Sequence, residues 1–256
     1  MGDDAEDFCH HSGDIITASR KLTKPLLSYV PVNSDVENFL GGVRRQTHPH
    51  CNLGRGFVVL HRVLPQTKLM CLYPVLCSLC NYTLAVDDYV EGRTEAQSLG
   101  VLADERNFVQ HCLMSLTPDA ETAESQQECS LYELCRLAAM IYSLIVVFPL
   151  PTTTAPFAKL ALQVKEQISK PSIHLRWTEA PQLILWITVM AAIASVDISE
   201  RSWFVLILER LINRLKLNSW AQMKEYLEDF MWFGSTSDAD GLNLWKEIEH
   251  SSPFSL

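Results

Sequence analysis

Three strings in this chain carry side chains able to hold a metal ion or move a proton. The first is Asp87-Asp88-x-x-Glu91. Magnesium takes oxygen ligands, and a spacing of four residues puts Asp87 and Glu91 on one helix face, where they could hold the ion against a diphosphate. That chemistry needs a second motif, with Asn or Asp, Ser or Thr, and Glu in fixed order. The stretch from Asn213 to Glu225 does not supply it, because Leu217 stands where the hydroxyl belongs. The acidic string therefore reads as a solvated helix terminus. The second string is Cys77-x-x-Cys80, with Cys71 two turns back. A structural zinc takes four ligands, usually from two such pairs, so His61, His111 or Cys112 would have to complete the set. Buried as small apolar residues, these cysteines need no metal. The third group, Cys9-His10-His11 and His48-x-His50-Cys51, is rich in donors but falls in expected loops. No nucleophile elbow, phosphate-binding loop, H-E-x-x-H or dinucleotide fingerprint occurs. The expectation is a chain with no catalytic, cofactor-binding or metal-binding residues, and not an enzyme.

The elements that must position these residues read as helices. Residues 68–89 place Leu69, Leu72, Leu76, Leu79 and Leu84 at helical spacing despite Pro74. A second helix is expected from about Glu95 to Leu116. Ser130 opens Leu131–Phe148, which Pro149 and Pro151 stop. Thr154 caps the next, with Pro156 in its first turn and Lys170-Pro171 at its end. Thr178, Glu179 and Pro181 start Leu183–Val196, apolar on every side and therefore central. Ser199 starts Trp203–Leu217. Ser219 with Gln222 forms a capping box, opening a helix that turns Trp220, Met223, Leu227 and Phe230 inward and closes at Gly234. Ser237 and Asp240 begin the last helix, with Leu242, Trp245 and Ile248. Earlier in the chain Ser34 caps a short helix through Leu40, ended by Gly41-Gly42, and a short strand is conceivable at Phe57–Leu60. The polar stretch from Pro118 to Gln127 reads as an exposed connection. All six tryptophans (Trp177, Trp186, Trp203, Trp220, Trp232 and Trp245) fall in the last 80 residues, marking where the core is built. The reading is an all-α protein, an irregular bundle of about eight to ten helices. It divides into a flexible acidic and basic arm over 1–33, a helical domain over 34–250 and a tail over 251–256.

The net charge of −9 is uneven: residues 1–14 hold five acids and no Lys or Arg, whereas residues 15–70 carry eight bases against two acids. The bulk of the chain has the wrong sign for displacing counterions from phosphates, and the basic stretch is diluted by Pro, His and apolar residues. An acidic start without an apolar segment gives no export signal, and eight cysteines then imply free thiols in a reducing compartment. Leu137–Phe148 and Leu183–Val196 fall short of the roughly 18–20 residues that span a bilayer.

Collinear residues over roughly 95–250 carry a further pattern. They are Arg106-Asn107-x-x-Gln110-His111-x-Leu113, Tyr132-Glu133-x-Cys135-Arg136-Leu137-Ala138-Ala139 and Phe148-Pro149-Leu150-Pro151. Ala180-Pro181-x-Leu183-x-x-Trp186 and Glu200-Arg201-x-Trp203-Phe204 follow. Then come Ser219-Trp220-x-x-x-Lys224-x-x-Leu227-x-x-Phe230-x-Trp232 and the Asp240-Gly241 neighbourhood running to Leu244-Trp245. This series resembles the carboxy-terminal regulatory region of fungal zinc-cluster transcription regulators, the fungal-specific transcription factor family. Members that bind DNA use a six-cysteine binuclear zinc cluster, which these eight cysteines do not reproduce, so direct DNA binding is not expected of this chain. The resemblance implies a helical scaffold in the nucleus, or alternatively the cytoplasm. Its implied role is control of a secondary-metabolite pathway through other transcription regulators, co-regulators or a small-molecule effector, without a membrane. The alternative from another class is an all-α, magnesium-dependent isoprenoid-synthase-like enzyme using Asp87, Asp88 and Glu91.

Overall fold

The computed structural model describes residues 3–29, 48–93, 96–118 and 130–251, and among them every regular element is helical. The first helices are α1 (Asp3–Lys21), α2 (Leu60–Val63), α3 (Gln66–Val90) and α4 (Leu99–Ser115). They are followed by α5 (Leu131–Val146), α6 (Ala155–Ile168), α7 (Ile173–Glu179) and α8 (Pro181–Ala194). The chain ends in α9 (Arg201–Leu215), α10 (Trp220–Glu228) and α11 (Gly234–Ser251). The fold is all-α, and the eleven helices among the described residues slightly exceed the eight to ten expected. The chain divides into two compact units, Met1–Cys51 with Cys71–Thr117, and Asn52–Met70 with Pro118–Leu256. The short helix expected over 34–40, the polar connection over 119–127 and the tail beyond 251 lie outside the described residues.

In the first unit, residues 3–21, expected as part of an arm, are helical. The contact that holds them mixes apolar and polar groups, and its two hydroxyls interrupt the apolar pattern. Asn107 Nδ2 donates to Ser12 Oγ and Gln110 Nε2 to Ser19 Oγ, both at 2.8 Å, with Ile15 and Ala18 buried between. Past Leu22, in the left-handed region at φ 54°, the Asp14 carboxylate accepts from the backbone of Leu26 and Leu27. The Tyr29 hydroxyl donates to Asp104, and burial beside that carboxylate pushes its pKa up. In α3 the expected stripe Leu69, Leu72, Leu76, Leu79 and Leu84 is buried. Pro74 sits two turns in, where its missing N–H costs one ladder bond and leaves the helix unbroken. This 25-residue helix is the one described helix long and apolar enough to cross a bilayer; two-thirds of its most apolar window is packed inside the fold.

The second unit is built around α8, whose residues 183–194 are all buried. Leu183, Ile184, Leu185, Ile187 and Val189 each contribute roughly 1.5–3 kcal/mol by leaving water. Helices α5, α6, α7, α9, α10 and α11 pack against α8. The indole N–H of Trp186 donates to the Met231 carbonyl at 2.8 Å, and its ring stacks on Phe230 and meets the edge of Phe57 at 5.3 Å. Trp177, Trp232 and Trp245 are also buried, while Trp203 and Trp220 are only half-buried.

Three local expectations change. Residues 57–60 are not a strand: Arg55–Val59 is a 3-10 turn running into α2. The turn uses its amides on the loop after α10, with Gly54 N on Phe230 O and Gly56 N on Asp229 O, so no sheet partner is needed. Gly234 opens α11 rather than closing α10, which stops at Glu228. Helix α7 was not foreseen, because one apolar pair, Ile173 and Trp177, is too short a signal. It meets α8 at 118° across Ala180. The caps at Ser130 and Ser219 form as read, each hydroxyl accepting from the amide three residues on; at the second, Gln222 Oε1 reaches back to the amide of Asn218, one residue before the cap, rather than to that of Ser219.

Candidate functional site

The most concentrated set of titratable groups joins two strings that the sequence presents separately. Asp87 and Asp88, in the last turn of α3, are not solvated; they are only 8% and 9% exposed. Gly92 explains why. It takes the left-handed conformation at φ 61°, so Gly92 N bonds to Tyr89 O and Arg93 N to Asp88 O, the paired closing bonds of a glycine-terminated helix. The reversal brings Arg93 back over the carboxylates, and Arg93 Nη1 donates to Asp87 Oδ2 at 2.7 Å and to Asp88 Oδ1 at 2.9 Å. Its cation also complements the negative end of the α3 dipole. Glu91, expected to share a face with Asp87, lies one residue past the helix and is exposed. The oxygens a magnesium ion would take from Asp87 and Asp88 face a guanidinium.

His48 closes the other side. Its Nε2 lies 3.2 Å from Asp88 Oδ1 and 3.5 Å from Asp87 Oδ2. Its Nδ1 accepts from the His50 amide at 3.0 Å, and its Nε2 also lies 3.1 Å from Arg93 Nη1, so the guanidinium and the two carboxylates share this ring nitrogen. Burial is the largest influence on this ring and holds its pKa below the ordinary value, with Arg93 and His50 acting in the same direction. Asp88 and Asp87 pull the other way without prevailing. The arrangement pins residues 48–51 to the end of α3 through one cation, two carboxylates and one neutral imidazole.

The remaining donor strings do not converge. Cys80 is buried, Cys77 half-buried and Cys71 exposed along α3. Burial pushes the Cys112 thiol up to about 11, and His111 Nε2 contacts the Leu27 carbonyl. His61 belongs to the other unit. Residues 9–11 lie on helix α1 rather than in a loop. Among the described residues no three His, Cys, Asp or Glu side chains are placed to hold a metal ion.

In the second unit, the residues of the collinear series are packing and pairing groups. Arg136 Nε and Nη2 grip the Glu133 carboxylate at 2.9 and 2.7 Å, with both side chains nearly buried in α5. Arg201 donates to the Ala192 carbonyl at the end of α8 and pairs with Glu247 at 2.8 Å, fastening α9 to α8 and α11. Lys224 Nζ and Trp232 Nε1 share the Asp238 carboxylate. Sequence reasoning missed Arg93 and the meeting of His48 with Asp87 and Asp88. The Gly92-Arg93 pair after an acidic helix end was the available signal for the first; nothing local signals the second. No protein-family model, curated protein or solved structure matches the chain.

Proposed function

We propose that the chain is a regulatory module of a transcription regulator, acting through contacts with other regulators or co-regulators, or with a small effector, in control of a secondary-metabolite pathway. The observation that carries the reading is the connectedness of the collinear series. Residues spaced over some hundred positions sit in one unit, with Glu133, Arg136, Trp186 and Trp232 buried and Arg201 and Lys224 pairing across its helices while partly exposed. Such residues specify a scaffold and leave its surface for recognition. The nuclear location and the pathway rest on the resemblance alone.

The test is tethering. Fused to a heterologous DNA-binding domain in a fungal reporter strain, the chain is expected to change reporter output relative to that domain alone. Affinity purification from nuclear extract is expected to recover transcription-related proteins. A folded, nuclear fusion that leaves the reporter unchanged and recovers no such protein rejects the reading.

A further inference from the structure

Three arginines from three separate helices donate to the neighbouring residues 178 and 179. Arg62 Nη2 (α2) donates to the Glu179 carbonyl at 2.9 Å, Arg176 Nη1 (α7) to Glu179 Oε2 at 2.8 Å, and Arg214 Nη2 (α9) to Thr178 Oγ1 at 3.3 Å. Glu179 is the one carboxylate in the group. Arg62 and Arg214 spend their hydrogen bonds on neutral acceptors and pair with no carboxylate among the described residues. Arg176 Nε is buried and has no acceptor among the described residues. The cluster therefore holds two positive charges beyond what Glu179 balances, on an accessible surface where Arg62, Thr178 and Arg214 are exposed. A protein that needed only to cap a carbonyl and a hydroxyl has cheaper means than two guanidiniums. Planar forks with spare N–H groups match the oxygens of an oxyanion.

The geometry points to a binding site for a phosphate monoester dianion at Arg62, Arg176 and Arg214. A carboxylate offers two oxygens and one charge, and Glu179 already supplies that to Arg176. Two unbalanced guanidiniums on different helices match the two charges and three free oxygens of a phosphate. Helix α8 starts immediately after, with Pro181 in its first turn and no side chain capping it, so its positive end adds to the same field. The inference goes beyond the regulatory reading and does not depend on it, since the same groups bind the same anion whatever the cellular role.

The probe is inorganic phosphate, titrated into the full chain at constant ionic strength and followed by amide and arginine Nε–H chemical shifts. Saturable shifts are expected at Arg62, Arg176, Arg214, Gln182 and Leu183. Arg62→Gln and Arg214→Gln each weaken binding about tenfold, the loss of one charge-assisted bond. Lys246→Gln, the same charge change on α11, leaves it intact. Arg214→Lys, which keeps the charge without the fork, falls between. Both arginines are exposed, so an otherwise unchanged spectrum verifies the fold of each variant. A phosphoserine peptide that binds more tightly than phosphate assigns the site to a phosphorylated partner segment, and one that binds equally or less tightly assigns it to small phosphates. Absence of saturation, or an equal loss in Lys246→Gln, overturns the site.

Discussion

The indole N–H of Trp232 donates to Asp238 Oδ1 at 2.8 Å while the other oxygen of that carboxylate accepts from Lys224 Nζ at 2.6 Å. One side chain in the first turns of α11 thus serves both α10 and the buried tryptophan between the helices. The two bonds differ in worth. Lys224 and Asp238 are about a third exposed, so their ion pair contributes about 0.5 kcal/mol. The Trp232 N–H is buried, and leaving it without an acceptor costs about 1–3 kcal/mol. Asp238→Asn is therefore expected to be mild and Asp238→Ala clearly destabilising. Urea unfolding midpoints of the two variants check this; equal effects would mean the tryptophan bond contributes nothing.

Gly241 lies inside α11, where alanine ordinarily gains about 1 kcal/mol over glycine. Here a Cβ would stand 2.7 and 2.8 Å from the six-membered ring of Trp232 and closer still to Trp220. The two indoles lock each other edge-on at 5.8 Å and cannot both retreat. Overpacking of this kind costs about 1–3 kcal/mol, so Gly241→Ala is expected to destabilise despite its helix propensity. Gly13, in α1 with open space around it, is the control: Gly13→Ala is expected to stabilise by about 0.5–1 kcal/mol. Opposite shifts in melting temperature are the check.

How much of this was legible follows from where the contacts are made. The α3 stripe, the Ser130 and Ser219 caps and the buried α8 are encoded within single helices, by spacing of apolar residues and by one residue at each start. Helix α1 was not legible, because Ser12 and Ser19 look like surface residues until Asn107 and Gln110 are placed opposite them. At residues 57–60 a short strand was only conceivable, since nothing local decides the segment: Phe57 is fixed by Trp186 and Phe230, far along the chain. The acidic string was seen but misjudged: its burial depends on Gly92 turning Arg93 back and on His48, some forty residues away.

Glu133 and Arg136 form a bidentate pair at 8–11% side-chain exposure, and Arg136 Nη1 also contacts Met140 Sδ. Removing one member leaves a buried, uncompensated charge, at about 3–5 kcal/mol. Replacing both by apolar residues of similar volume removes the desolvation cost together with the attraction. Arg136→Met is thus expected to destabilise strongly, and Glu133→Leu with Arg136→Met to recover most of the loss. A double-mutant cycle measured by denaturant unfolding reads the coupling; additive effects would contradict a paired, buried bridge.

Cysteine labelling gives an independent check on burial. Cys51 and Cys71 are exposed, Cys77 and Cys112 half-buried, and Cys80 and Cys135 buried. The thiolate is the reactive form, and burial holds the Cys112 thiol up near 11. Of these six cysteines, iodoacetamide at neutral pH is expected to modify Cys51 and Cys71 first, Cys112 far more slowly, and Cys80 and Cys135 only on unfolding. Peptide mass mapping over time shows the order.

His48 should make stability depend on pH in a definite direction. It is a base whose folded pKa is depressed below 6.5, chiefly by burial. The unfolded chain therefore takes up the proton first. Stability from this ring is complete above 6.5 and falls as the pH drops from there through the folded value, below which the loss levels off. Protonation also requires a proton on Nδ1, the atom that accepts from the His50 amide, so the imidazolium cannot keep that bond. The carboxylates of Asp87 and Asp88, facing Nε2, offset part of the penalty and so limit the size of the loss. Unfolding free energies across mildly acidic pH are expected to decline in the natural chain and to decline less in His48→Gln, whose amide can still donate toward Asp88 and does not titrate. Identical slopes in the two proteins would show that the ring stays solvated and that its contact with α3 does not govern the pH response.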